Sequence, residues 1–134
     1  MANALYAKGK EHILNGDIDI DTSTIKAVLL SSSYTPNLSA HEIISDVSGS
    51  RLNADKTLTG VTKSLGVVDA NDVTWTAVTA GFTASYVALY KDSGVVGTSY
   101  LIALFDTITN FPVSTNGGDI TVTWDNGAYK IFAL

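Results

Sequence analysis

The chain has 134 residues and a mass of 14.1 kDa, with 46% hydrophobic and only 16% charged residues. That length suits one core, large enough to fold without metal or disulfide, and the apolar content excludes disorder. The formal charge of −5 argues against a phosphate-tracking nucleic-acid binder, and the lack of cysteine excludes disulfide frameworks, zinc fingers and thiol nucleophiles.

Thr, Val and Ile number 16, 12 and 10, so 38 of the 134 residues are β-branched, which favours strands over helices. The start, Met1-Ala-Asn-Ala-Leu-Tyr6, has no basic segment followed by an apolar run, so no signal peptide is expected. No stretch of 18 apolar residues predicts a membrane span. Residues 1–16 read as a short helix. Asn3 is its candidate cap, Leu5, Tyr6, Gly9 and Ile13 lie near one face, and Asn15-Gly16 supplies a stop. Gly9 weakens that helix, since an interior glycine costs about 1 kcal/mol. Asp17-Ile18-Asp19-Ile20-Asp21 alternates strictly, as a strand or extended segment with one wet face does. Residues 1–21 are therefore a candidate arm.

A strand is expected over Ile25–Leu30, broken by Ser31-Ser-Ser-Tyr-Thr-Pro36. Ser39-Ala-His-Glu42 has the form of a capping box before Ile43, Ile44 and Val47, which predicts about two turns of helix. From Arg51 onward only strands are expected. Leu58–Val68 reads as one bulged strand carrying Gly60 and Gly66. In Val73–Val78, the residues Val73, Trp75 and Ala77 share the inward face. Ala80-Gly81 and Lys91-Asp-Ser-Gly94 are turns. Ser85–Lys91 and Tyr100–Asp106 are apolar on both faces, which suits the centre of a sheet or a face that meets another subunit. After Asn116-Gly-Gly118, the residues Ile120, Val122 and Trp124 point inward. Asp125-Asn126-Gly127 then offers a type I′ turn to a closing strand over Tyr129–Leu134. The sum is a mainly β, single-domain β-sandwich or jelly-roll-like fold spanning 1–134, with two short helices in the N-terminal third.

The polar residues assemble no convincing chemistry in sequence. His12 and His41 both fall on expected helices, and no Gly-x-Ser-x-Gly elbow accompanies them. Asp17, Asp19 and Asp21 could present oxygen ligands to calcium, but the segment lacks the glycine and distal glutamate of an EF-hand; a solvated edge is expected instead. Asp69, Asp72, Asp92, Asp106, Asp119 and Asp125 sit in turns or at strand ends, which suits solubility more than glycosidase chemistry. Trp75 and Trp124, with Tyr86, Tyr90, Tyr100 and Tyr129, could form a sugar-stacking platform, although both tryptophans read as core. Tyr34, beside Pro36, is the aromatic expected to be free for a partner. Gly94 and Gly117-Gly118 lack the Lys-Ser/Thr and helix of a phosphate loop. No catalytic, cofactor-binding or metal residue is assigned.

Three groups of segments carry a resemblance. The first is Leu101-Ile-Ala-Leu-Phe-Asp-Thr, Phe111-Pro-Val and Asn116-Gly-Gly-Asp-Ile-Thr-Val-Thr-Trp-Asp-Asn-Gly-Ala-Tyr-Lys-Ile-Phe-Ala-Leu134. The second is Ala4-Leu-Tyr-x-Lys-Gly, Leu14-Asn-Gly-Asp-Ile and Thr24-Ile-Lys-Ala-Val-Leu, and the third is Asp72-Val-Thr-Trp-Thr-Ala-Val and Ala88-Leu-Tyr-Lys-Asp. Together they resemble a family of small tailed-bacteriophage virion structural proteins over nearly the whole chain. The resemblance implies a non-enzymatic part of the virion, made in the host cytoplasm. A rigid β body with a neutral surface suits a head decoration, or cement, protein on the capsid exterior. Its expected partners are the major capsid protein and further copies of itself, with a trimer preferred, and neither nucleic acid nor membrane. A tail or fibre component and a host-glycan-binding module are the alternatives. Exposure of Trp75 or Trp124 would favour the last.

Overall fold

Strand β2 (Thr24–Ser31) lies inside the main sheet and shows how it is built. Its side chains alternate between two apolar environments, with Ile25, Ala27 and Leu29 in one cluster and Val28 and Leu30 in the other. A strand apolar on both faces has to be covered twice, and this chain supplies both covers. The computed structural model describes residues 3–134 and has a mainly β, single-domain sandwich architecture. Every strand pair is antiparallel.

The main sheet also contains β1 (Ala4–Leu5), β3 (Arg51–Thr57), β7 (Thr83–Asp92) and β8 (Leu101–Phe105), in the order β1-β8-β7-β2-β3. A short β9 (Val113–Ser114) pairs with the start of β7. Two small sheets lie over one face. One is β6 (Val73–Trp75) with β10 (Ile120–Val122); the other is β4 (Thr62–Ser64), β5 (Val67–Asp69) and β11 (Phe132–Ala133). Trp75, Trp124, Val68 and Phe132 pack there with Leu29, Val87, Leu89 and Phe105. On the other face Tyr6, Tyr34, Ile44 and Val47 cover Val28, Leu30, Ala88 and Leu104. The apolar residues on both faces of β7 and β8 are thus buried within one chain, with no second subunit needed to cover them.

The N-terminal segment is docked on this body. β1 pairs with β8, and Tyr6 N–H donates to Ile102 O. Helix α1 (Ala7–Asn15) packs along β8 and ends at Gly16, whose φ of 83° is the left-handed conformation of a glycine stop. Asn3 does not cap the helix. Its Oδ1 accepts from Asp106 N and Thr107 N instead, which ties β1 to the end of β8. Met1 and Ala2, included in the expected helix, lie outside the described residues. Residues 17–21 form no strand: Ile18 is buried while Asp19 Oδ1 accepts from Asp21 N, so the segment turns.

Four further expectations are corrected. The second helix is two successive 3-10 turns, Ile44–Asp46 and Ser48–Ser50. Its cap comes from downstream, with Asp46 Oδ2 accepting from Glu42 N and Ile43 N at 2.7 and 3.0 Å. Leu58–Val68 is no single strand, because Leu65 and Gly66 adopt φ of 52° and 79° and fold β4 back on β5. Ala77 is exposed and Val78 is buried in its place. Ala77 has φ 49°, its N–H donates to Asp119 Oδ1, and Asn53 Nδ2 donates to Thr76 O and Ala77 O, so the alternation of β6 ends at Trp75. Finally, β10 and β11 are not a hairpin. Neither Asn126 nor Gly127 has the positive φ that a type I′ turn requires, and β11 pairs with β5.

Candidate functional site

A concavity lies where the end of β8 and the segment after it meet β10 and the segment after it. Its lining combines Phe105, Thr107, Thr109 and Asn110, from the end of β8 and the segment after it, with Thr121, Thr123, Asp125 and Asn126, from β10 and the segment after it. Its volume is about 710 Å³. A second lobe of about 320 Å³ shares Asn3, Phe105, Asp125 and Lys130 with it and reaches Tyr129, Phe132 and Ala133. The floor is apolar and fixed. Trp124 stacks at a tilt on Phe105 with ring centroids 5.4 Å apart. Its indole N–H donates to Asn71 O and its backbone N–H to Asp72 Oδ1. Trp124 is only 5% exposed, and Trp75 is fully buried with its indole N–H unpartnered among the described residues. The tryptophans are therefore core residues, as their strand pattern predicts, and they present no stacking platform. Of the aromatic residues named with them, Tyr129 is the one left largely exposed, at 72%.

The structure separates the other sequence candidates. Tyr34 is not free: it is buried, its hydroxyl lies 2.9 Å from Tyr6 Oη and 2.7 Å from His41 Nδ1. Burial and the Tyr34 hydrogen bond push the Tyr6 phenol far above its ordinary range. The aspartates serve the backbone. Asp69, Asp72, Asp92, Asp119 and Asp125 accept from the N–H groups of Ala70, Trp124, Gly94, Ala77 and Gly127 respectively. Asp17, Asp19 and Asp21 do not converge. Asp17 faces His12, Asp19 accepts from the Asp21 backbone, and Asp21 pairs with Lys63 at 2.6 Å. No metal-ligating cluster forms among the described residues.

His12 is the residue whose setting the sequence least anticipates. Its Nδ1 lies 2.7 Å from Asp17 Oδ2 and its Nε2 2.8 Å from Glu42 Oε1, while its ring stacks on Tyr100 at 3.5 Å. A neutral imidazole carries one N–H, so only the imidazolium donates to both carboxylates. Burial alone lowers the His12 pKa, but hydrogen bonds to Asp17 and Glu42 outweigh it and the pKa is raised. The cluster joins α1, the loop after it, the 37–46 segment and the entry to β8. With both ring nitrogens occupied, it is built as a clamp. No sequence spacing signals it, because Glu42 is 30 residues from His12. No protein-family model and no curated protein matches the chain.

Proposed function

We propose that the chain is a non-enzymatic bacteriophage virion structural protein that binds the outside of the head and braces neighbouring capsid subunits. The observation that carries this reading is the whole-chain resemblance to small tailed-phage virion proteins. Its quoted runs fall on β1, β2, β6, β7, β8 and β10, so they span the body and not one local motif. The architecture is compatible with the role: a doubly covered sheet with a surface poor in charge makes a stiff unit for packing on capsomers. Because β7 and β8 are covered within the chain, a homo-oligomer, preferably a trimer, has to use other surfaces. The three residues of the β4 edge are exposed, Leu65 at its tip is 100% exposed, and Leu134 lies beside it through its N–H bond to Gly66 O. This end is the contact we favour for the capsid. Modest contacts repeated across an oligomer act together through effective concentration.

The test is reconstitution. Heads lacking the protein should burst at lower temperature, added protein should restore them, and Leu65→Asp should restore them less. A protein that labels tails and leaves heads bare would overturn the decoration role while leaving a tail or fibre role standing. Glycan binding through the two tryptophans is not retained as a second reading, because both are buried.

A further inference from the structure

We propose that the two-lobed groove is a binding site for a neutral saccharide chain, with Tyr129 as its stacking face. This inference does not rest on the capsid role. The lining comes first. Thr109, Asn110, Thr123 and Asn126 surround the larger lobe, and their side chains make no hydrogen bond to the protein among the described residues. Amides and hydroxyls both donate and accept, which is what vicinal sugar hydroxyls require. The charges on the walls are one of each sign, Asp125 and Lys130, so the groove offers little net field to a polyanion.

The aromatic arrangement is the second ground. Phe105 and Trp124 make a rigid floor, while Tyr129 stands largely exposed at the smaller lobe. An exposed tyrosine offers an apolar face to sugar C–H groups and a polar tip to hydroxyls, and a chain spanning both lobes would meet it and the unspent polar groups of the larger lobe. The two lobes, about 710 and 320 Å³, fall within the roughly 300–1,000 Å³ range of small-molecule sites. Third, Asn110 and Lys130, both in the lining, hold left-handed φ values, 73° and 47°. Such conformations persist only where the surroundings impose them, and they concentrate at binding sites. An extended peptide is the competing occupant, because β10 pairs only with β6 and leaves one edge open among the described residues; the four unspent polar side chains favour the saccharide.

The experiment is an amide-resolved NMR titration of the whole chain with neutral oligosaccharides of glucose, N-acetylglucosamine and mannose. Dextran sulfate and an uncharged extended peptide are the controls. Saturable shifts confined to residues 107–110, 121–126 and 129–130 are expected with at least one neutral oligosaccharide, at millimolar affinity. Tyr129→Ala should weaken binding at least tenfold and Tyr129→Phe far less. Asn110→Gly, which keeps the left-handed backbone and removes the amide, should also weaken it. No shifts with any of the three sugars, undiminished binding by Tyr129→Ala, or shifts with the peptide or dextran sulfate alone would each overturn the proposal. Leu65→Asp should leave sugar binding unchanged, which separates this site from the capsid contact.

Discussion

Gly9 sits in the middle of α1, where alanine would normally be the better helix former by about 1 kcal/mol. Here the helix lies so close to β8 that a Cβ at Gly9 would stand 2.5 Å from Leu101 O and 3.0 Å from Ile102 O. Backbone atoms cannot rotate away, so Gly9→Ala has to push the helix off the sheet. Overpacking of this kind costs about 1–3 kcal/mol. We expect a net loss of stability in denaturant melts; unchanged or increased stability would refute the close approach. His12 yields a pH effect of defined sign. Its folded pKa is raised above the ordinary 6.5, so its stabilisation is fully present below about 6.5 and is lost as pH rises through the folded value. Asp17 and Glu42 face the ring, Tyr100 stacks on it, and Lys91 reaches Asp17 O. Both carboxylates are about two-fifths exposed, so the effect is on the order of 1 kcal/mol. His12→Ala should lower Tm more at pH 6 than at pH 9, and an equal drop at both would contradict the clamp. Calcium should leave Tm unchanged, because the three early aspartates have separate partners. A site saturated at 100 times its Kd would add about 2.7 kcal/mol, so a rise of several degrees, lost in Asp19→Ala, would show a site after all. The sequence exposed the glycine and the aspartates but not their use: close approach and the His12 partners both depend on contacts distant along the chain.

At the scale of elements, β6 and β10 carry the small sheet that closes the core. Ile120 pairs with Trp75 and Val122 with Val73, and Thr74 meets Thr121 on the wet side with hydroxyls 2.9 Å apart. Truncating Trp75 or Trp124 to Ala should cost about 3–5 kcal/mol, and wild-type melting of both variants would refute their burial. Strands with strong period-two patterns were legible in the sequence: β2, β6, β7, β8 and β10 lie where alternation or a doubly apolar run puts them. Pairing was less so. Asn126-Gly127 looks like hairpin chemistry, yet Asp125 Oδ1 captures the Gly127 N–H and the chain crosses to β5. Ile131 and Phe132 are buried there against that sheet. Likewise, Leu65 is a bulky residue with a left-handed φ, which no turn propensity anticipates. In both places long-range contacts override local preference. The groove was also hidden, since its lining comes from segments separated in sequence; Trp124, Asp125, Asn126 and Tyr129 stand out in the sequence, but nothing there joins them to Thr109 and Asn110.

For the whole molecule, the doubly apolar strands that suit either a sheet centre or a subunit contact lie in a sheet covered on both faces by its own chain. Any self-association would then use edges and loops other than the Leu65 end, which the proposed role places against the capsid. That covering leaves a stiff, weakly charged body, suited to repeated shallow contacts on a regular lattice. On the proposed role, mass action would stabilise the shell, provided that the protein binds assembled capsid and not dispersed subunits. We propose that the chain sits on the outer surface of a phage head, and electron cryomicroscopy of purified virions tests that placement directly. The sandwich is expected to fit density on the outer surface of the head, in symmetric clusters bridging capsid subunits, with the Leu65 end against the shell. Heads without such density, or density for this fold in the tail alone, would contradict that placement.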